Sequence, residues 1–189
     1  MHSKSYRFLT PLIMVLTWAN MEAQTSHPVP RLVVNVTIDQ LRTDYMEAFS
    51  SLFGAGGFNK VMRDGRSYMD AAYPFSHIDR ASAVACIMTG TVPYDNGIVG
   101  EHWMDRKTLR PMYCVDDATC EGWLTSEKYS PVALNVSTVT DELKMATGGR
   151  ALVYSIAPDA DAAILAAGHA ADGAFWIDNA SGQWSSTSY

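Results

Sequence analysis

Residues 74–103 read PFSHIDRASAVACIMTGTVPYDNGIVGEHW, and this stretch decides how the rest of the chain is interpreted. A polar, irregular lead-in precedes the small apolar residues 81–88, whose pattern is that of a helix rather than an alternating strand. The first N–H groups of a helix lack intrahelical partners and carry partial positive charge, so they favour an anion or a nucleophile. The sequence therefore predicts that Asp79, Arg80 and Ser82 form the functional end of this helix.

A second informative segment lies upstream, at residues 32–38. Its sequence, LVVNVTI, is rich in β-branched residues and almost continuously apolar. Such a run is typical of a strand buried on both faces of a parallel sheet. Asp39 would then stand at the carboxyl end of that strand, where open α/β sheets bind their ligands. We expect Asp39 to be either a metal ligand or the N-cap of a helix over residues 41–53.

Helix and strand patterns continue to the end of the sequence. Ser137 and Thr138 are capping residues that open a predicted helix at 139–146, and two glycines close it. Further along, the patterns predict a buried strand within 150–156, a short helix at 162–167 and paired strands at 173–178 and 183–184.

Several short motifs occur in an order and spacing that resemble the N-terminal part of the alkaline phosphatase superfamily. The branch is that of type I phosphodiesterases, nucleotide pyrophosphatases and phosphate-irrepressible alkaline phosphatases. The motifs are Asp39-Gln40-x-Arg42-x-Asp44-Tyr45, Gly56-Gly57-Phe58, Thr89-Gly90-x-Val92-Pro93, Gly97-Ile98, Thr138-Val139-Thr140-Asp141 and Ala167-Gly168-His169. Over residues 32–189 the resemblance implies the N-terminal portion of an α/β fold, with a mostly parallel central sheet flanked by helices. It also makes residues 104–131 an irregular, lid-like insertion.

The resemblance fails at the residues that carry the family's chemistry. The family's threonine or serine nucleophile falls on Arg80, its phosphate-binding asparagine on Glu101, and its lysine and arginine phosphate contacts on Asp159 and Asp161. A guanidinium stays protonated and has no lone pair with which to attack phosphorus. Three carboxylates would repel the oxyanion that a neutral donor and two cations would hold. The chain is therefore expected to be catalytically impaired.

Arg80 has two possible roles, and the whole chain has three possible functions. Arg80 either pairs with Glu101, Asp159 or Asp161, or binds an anionic ligand noncovalently. The chain is a binding or scaffolding pseudoenzyme, a metal-dependent phosphate-ester or phosphodiester hydrolase with a displaced nucleophile such as Ser82, or a non-functional N-terminal fragment. The hydrolase would need C-terminal residues beyond those present.

The resemblance also implies a zinc cofactor, held as a two-metal site. Most of the metal ligands in the family lie in a long C-terminal half, and the one matching position in this sequence is Asp39. We therefore expect that this chain alone does not bind the zinc pair.

The N-terminal residues of the sequence indicate an exported protein. Residues 1–23 combine basic residues, a short apolar run and a small-residue cleavage site, as in a signal peptide, and residues 24–31 form a polar leader. No transmembrane span is expected after cleavage, and a periplasmic, extracellular or outer-membrane-associated location follows. The net charge of −6 argues against nucleic-acid partners. A protein or glycan partner is compatible with it.

Cysteine usage fits export but leaves one question open. Cys114 and Cys120 flank a polar loop and either form a short disulfide or remain free thiols, and Cys86 falls in the apolar helix.

Overall fold

A computed structural model describes residues 29–189, so the predicted signal peptide and most of the predicted leader lie outside the described residues. Residues 29–34 have no regular secondary structure, and Asn35–Tyr189 form one compact unit. Its α-helices are α1 (Thr43–Ala48), α2 (Gly57–Asp64), α3 (Arg80–Thr89), α4 (Pro93–Asn96), α5 (Val139–Ala146) and α6 (Ala160–Ala167). Its strands are β1 (His102–Met104), β2 (Pro111–Tyr113), β3 (Gly122–Trp123), β4 (Tyr154–Ile156), β5 (Gly173–Ile177) and β6 (Trp184–Thr187).

The four strands β3, β6, β5 and β4 form the larger sheet, in that order. Strands β4 and β5 are parallel, with Ser155 opposite Ala174, whereas β5 pairs antiparallel with β6 and β6 with β3. The α/β class is confirmed, but the described sheet is mixed, with one parallel pair where the resemblance implied mostly parallel pairing. The connection from β5 to β6 is short, and a tight turn joins strands in antiparallel order. Strand β4 was expected to be buried, yet Tyr154 and Ile156 are exposed because no described residue covers the face of β4 that carries them.

The predicted strand at residues 32–38 is not formed in the structure. No strand within residues 29–189 pairs with this segment, and its apolar side chains are exposed, with Leu32 79% and Val36 73% accessible. A strand needs a neighbour that completes its hydrogen-bond ladder, so an apolar, β-branched sequence alone does not make one. Asp39 accordingly lies exposed in a turn rather than at a sheet edge, and the helix after it begins at Thr43 with Arg42 as its N-cap.

Helices α3 and α6 pack together at the centre of the unit. Each buries residues at helical spacing: Ala81, Val84, Ala85 and Met88 on α3, and Ala160, Ala163, Ile164 and Ala167 on α6. The many alanines allow the two helix backbones to approach closely, and both helices belong to a core that includes Ile98, Val115 and Trp176. This packing places the first turn of α3 next to the first turn of α6.

The end of α6 is fixed against the beginning of α5. Gly168 follows α6 with φ of 81°, and a Cβ at this position would collide with the hydroxyl of Thr138. Thr140 donates a hydrogen bond to the carbonyl of Ala167 at 2.7 Å, and the Nδ1 atom of His169 lies 3.0 Å from Asp141 Oδ2. The glycine is needed because side-chain oxygens of Thr138, Thr140 and Asp141 crowd the place of a Cβ and because φ is positive. These contacts hold α6, and with it Asp161, in position.

Residues 104–131 contribute strands and core residues to the unit, and the lid-like role that the resemblance implies stays a prediction. They include β2, which pairs antiparallel with β1, and β3, which pairs with β6. Cys114 and Val115 within this segment are fully buried in the core. Among residues 29–189, no helix is both long enough and apolar enough to span a bilayer.

Candidate functional site

Asp79 caps helix α3 and fixes the loop that follows α4. Its carboxylate accepts hydrogen bonds from the backbone N–H of Ser82 at 2.9 Å and from the N–H of Glu101 at 2.6 Å. Burial raises the pKa of this carboxyl, but the hydrogen bonds from Ser82 and Glu101 outweigh burial, and the net effect is a lowered pKa. Asp79 is therefore committed, as a carboxylate, to holding the helix end against the Glu101 loop.

Ser82 completes the same capping box and is fully buried. Its hydroxyl donates to Asp79 Oδ1 at 2.7 Å and accepts from the Asp79 N–H at 3.0 Å. A phosphate ester cannot reach a hydroxyl in this position unless the helix end opens. The candidate substitute nucleophile thus has a structural role in this conformation.

Arg80, the first residue of α3, is surrounded by carboxylates. Its Nε lies 3.0 and 3.1 Å from the two oxygens of Asp161, its Nη1 3.1 Å from Asp159, and its Nη2 3.5 Å from Glu101. Burial lowers the pKa of the guanidinium, but the hydrogen bond and charge of Asp161, with the charges of Asp159 and Glu101, raise it further above its ordinary value. Arg80 is a permanently charged ion-pair partner at the position that the resemblance assigns to the nucleophile.

The three acids around Arg80 differ in how far water reaches them. Asp161 is 0% exposed, and within residues 29–189 its carboxylate receives hydrogen bonds from Arg80 alone. Asp159 and Glu101 are 37% and 38% exposed, so water still solvates them. The structure thus brings Arg80 together with Glu101, Asp159 and Asp161. Of the two interpretations of Arg80, this arrangement is the internal ion pairing.

A cavity of about 250 Å³ opens beside this ion-pair cluster. Its walls include the acids Glu101, Glu127 and Asp159 and the aromatic residues Tyr113, Tyr129 and Trp176. The sequence analysis assigned no role at a site to Glu127 or Trp176. No local motif marks these two residues, because strand β5 and the loop after β3 meet Arg80 only in the folded chain.

Asp39 stays a predicted metal ligand without a metal site around it. Among residues 29–189, no three histidine, cysteine, aspartate or glutamate side chains lie close enough together to hold an ion. The described residues by themselves therefore do not fit the two-zinc centre that the resemblance implies. Any zinc bound at Asp39 would require ligands from outside these residues.

The cysteines are three free thiols. Cys114 and Cys120 are both buried, and Cys120 Sγ lies 3.5 Å from Asp117 Oδ2, so the thiol alternative describes this structure rather than the disulfide. Burial raises the pKa of Cys114, and the charge of Asp161 adds to that effect. This thiol is a packing group of low reactivity.

Comparisons with known proteins agree with the fold and with the motifs. Residues 33–189 match the family model described as type I phosphodiesterase / nucleotide pyrophosphatase. Alkaline phosphatase PhoV from Synechococcus elongatus is 41% identical over 164 residues, covering 85% of this chain and 30% of that protein. Alkaline phosphatase PafA from Elizabethkingia meningoseptica is 32% identical over 187 residues, covering 97% of this chain and 34% of that protein.

The crystal structure of wild-type PafA superposes with a TM-score of 0.74 at 31% identity, covering 85% of this chain and 32% of that one. A PafA variant substituted at a threonine, an asparagine, a lysine and an arginine superposes with a TM-score of 0.73 at 34% identity. The chain spans about a third of the length of these relatives. On the family match over residues 33–189 and the shared α/β structure, the chain belongs to the type I phosphodiesterase / nucleotide pyrophosphatase family of the alkaline phosphatase superfamily.

Proposed function

We propose that this chain is an exported family member that has lost phosphoryl transfer at the Arg80 position and acts as a binding or scaffolding pseudoenzyme. The observation that carries the proposal is the ion-pair cluster, in which Asp161, Asp159 and Glu101 form ion pairs with the guanidinium of Arg80. The export part rests on the sequence pattern of residues 1–23.

The positions themselves support this assignment. In the PafA variant, the substituted threonine and asparagine are 21 positions apart and the substituted lysine and arginine are two apart. Arg80 and Glu101 have the first of these separations, and Asp159 and Asp161 have the second. These equal separations support the correspondence of the four positions, at which this chain has a cation at the first and carboxylates at the other three.

The chemistry of the cluster opposes both nucleophilic attack on phosphorus and binding of the phosphate group. A guanidinium offers no nucleophilic lone pair, so no covalent phosphoryl intermediate forms at Arg80. Glu101 and Asp159 present negative charge on the cavity wall, and an incoming phosphate dianion would meet repulsion there. Asp161 already neutralises Arg80, which is the one lysine or arginine among the described residues that line the cavity.

A metal-dependent phosphate-ester or phosphodiester hydrolase is the second candidate. The 41% identity to a protein named alkaline phosphatase favours it. It requires that the buried Ser82 or another hydroxyl replaces the family nucleophile and that further residues supply metal ligands to Asp39. It predicts zinc-dependent turnover that Ser82→Ala and Asp39→Ala abolish.

Turnover assays separate the two candidates. Purified full-length protein is incubated with p-nitrophenyl phosphate and with bis(p-nitrophenyl) phosphate, with zinc and with a chelator. The pseudoenzyme proposal expects no zinc-dependent release of nitrophenol above buffer and the same result for Arg80→Ala. Multiple turnovers that disappear with chelator and in Ser82→Ala would establish the hydrolase instead.

A further inference from the structure

The cavity beside Arg80 carries more negative charge than its own arginine neutralises. Asp161, buried beneath the cavity, pairs with Arg80 and leaves Glu101, Glu127 and Asp159 on the walls. Within residues 29–189, Glu127 has no cationic partner. Four carboxylates around one guanidinium attract a cation and repel an anion.

Aromatic rings form another part of the cavity wall. Tyr113 and Tyr129 are in contact, with ring centroids 5.2 Å apart, and Tyr129 lies 5.9 Å from Trp176. Carboxylates next to tyrosine and tryptophan rings are the environment that organic cations prefer, because the ring faces also carry negative potential.

Trp176 supplies an independent observation. The side chain is 1% exposed, lines the cavity, and has an indole Nε1 with no hydrogen-bond partner among the described residues. A buried indole N–H is usually satisfied, and an unsatisfied one costs stability. A neutral acceptor oxygen on a ligand would supply the missing partner.

The cavity volume limits the size of the ligand. About 250 Å³ corresponds to roughly eight water molecules at their share of liquid volume. This space is smaller than most drug-sized sites and suits a single side chain or a small amine. A metal ion is disfavoured, because no three potential ligand side chains converge within residues 29–189.

Building on the proposed loss of phosphoryl transfer, we propose that this cavity binds an ammonium or guanidinium group on a small organic cation that also carries a neutral acceptor oxygen. Glu127 and Asp159 contact the charged group, Tyr129 contributes its ring, and Trp176 Nε1 donates to the oxygen. The same chemistry occurs in a free amine and in a basic side chain of a protein.

Calorimetric titration of the full-length protein with Nα-acetyl-lysine amide tests the proposal. We expect saturable binding that weakens as salt is added, and an affinity about tenfold lower in Glu127→Gln, because a charge-assisted contact is lost. Asp159→Asn is a second variant with the same expectation. Glu47→Gln, an exposed glutamate on α1 outside the cavity, is the matched control and should bind as the unmodified protein does.

Further probes define the source of the ligand and the contrary results. Binding of 5-amino-1-pentanol, a free amine with a neutral hydroxyl oxygen, more tightly than the lysine amide indicates a free amine, and the reverse order indicates a protein side chain. Equal binding of uncharged Nα-acetyl-norleucine amide, preference for a neutral sugar, or no saturable binding of either amine overturns the proposal. The turnover assay is read separately, so amine binding with phosphate turnover refutes only the proposed function, and neither binding nor turnover refutes only this inference.

Discussion

Replacing Arg80 by methionine should destabilise the fold by leaving a buried carboxylate without its partner. Asp161 is 0% exposed, and among residues 29–189 Arg80 is the one side chain that donates to its carboxylate. Removing one member of a buried ion pair costs about 3–5 kcal/mol. Because Arg80 itself is 26% exposed, we expect the lower end, about 3 kcal/mol. For a chain of this size that loss lowers Tm by about 6–12 °C.

A double-mutant cycle measures whether the pair is the cause. Arg80→Met/Asp161→Leu replaces both charges with apolar groups, and such replacements of a buried pair are close to neutral. We expect the double variant to regain about 2 kcal/mol of the free energy of unfolding lost by Arg80→Met alone. The control is Arg63→Met, because Arg63 pairs with Asp64 on the surface and should cost under about 1 kcal/mol.

Urea unfolding followed by tryptophan fluorescence supplies the free energies. A stabilising role of the Arg80–Asp161 pair is refuted if Arg80→Met changes the free energy of unfolding no more than Arg63→Met does. It is also refuted if the double variant is as unstable as the single one, since Asp161 would then not depend on Arg80.

Three further predictions concern the contacts that support the site. Gly168→Ala should lower the free energy of unfolding by about 2–4 kcal/mol, because φ is positive and a Cβ there collides with a threonine hydroxyl. The control is Gly182→Ala, which has positive φ but open space around the Cβ and should cost about 1–2 kcal/mol in the same urea assay. Asp79→Ala should cost about 1–2 kcal/mol at pH 7. The pKa of Asp79 in the folded state lies below its ordinary value of 3.8. The stability that Asp79 contributes is therefore present above that pH and is lost as the pH falls through the folded-state pKa. The unfolding curves of the unmodified protein and of Asp79→Ala should converge in acid. Cys114 and Cys120 should react with iodoacetamide only after denaturation and without prior reductant; reductant-dependent labelling would show a disulfide.

Local signals predicted the helices of the site well. Capping residues Asp79 and Thr138 determine where α3 and α5 begin, and each acts through hydrogen bonds to residues three positions away. The predicted helix at 139–146 is confirmed with both of its bounds. The α/β class is confirmed as well, because it depends on the alternation of such local patterns.

Features that depend on distant partners were harder to predict. The apolar run at residues 32–38 has strand-like composition, but a strand forms only with a neighbour, and the described residues provide none. Glu127 and Trp176 reach the cavity only through packing of β5 and the loop after β3, so no spacing in the sequence marks them. The ion pairs of Arg80 were anticipated through the family resemblance and could not have been found from spacing alone.

Carboxylates pair with the guanidinium of Arg80 at the position that the resemblance assigns to the nucleophile, and phosphate binding tests the consequence of this pairing most directly. Inorganic phosphate is titrated into the full-length protein in the presence of zinc and followed by phosphorus NMR. We expect the phosphate resonance to keep the position and width that it has with the same zinc concentration and no protein. A saturable shift of that resonance that Arg80→Met abolishes would contradict it.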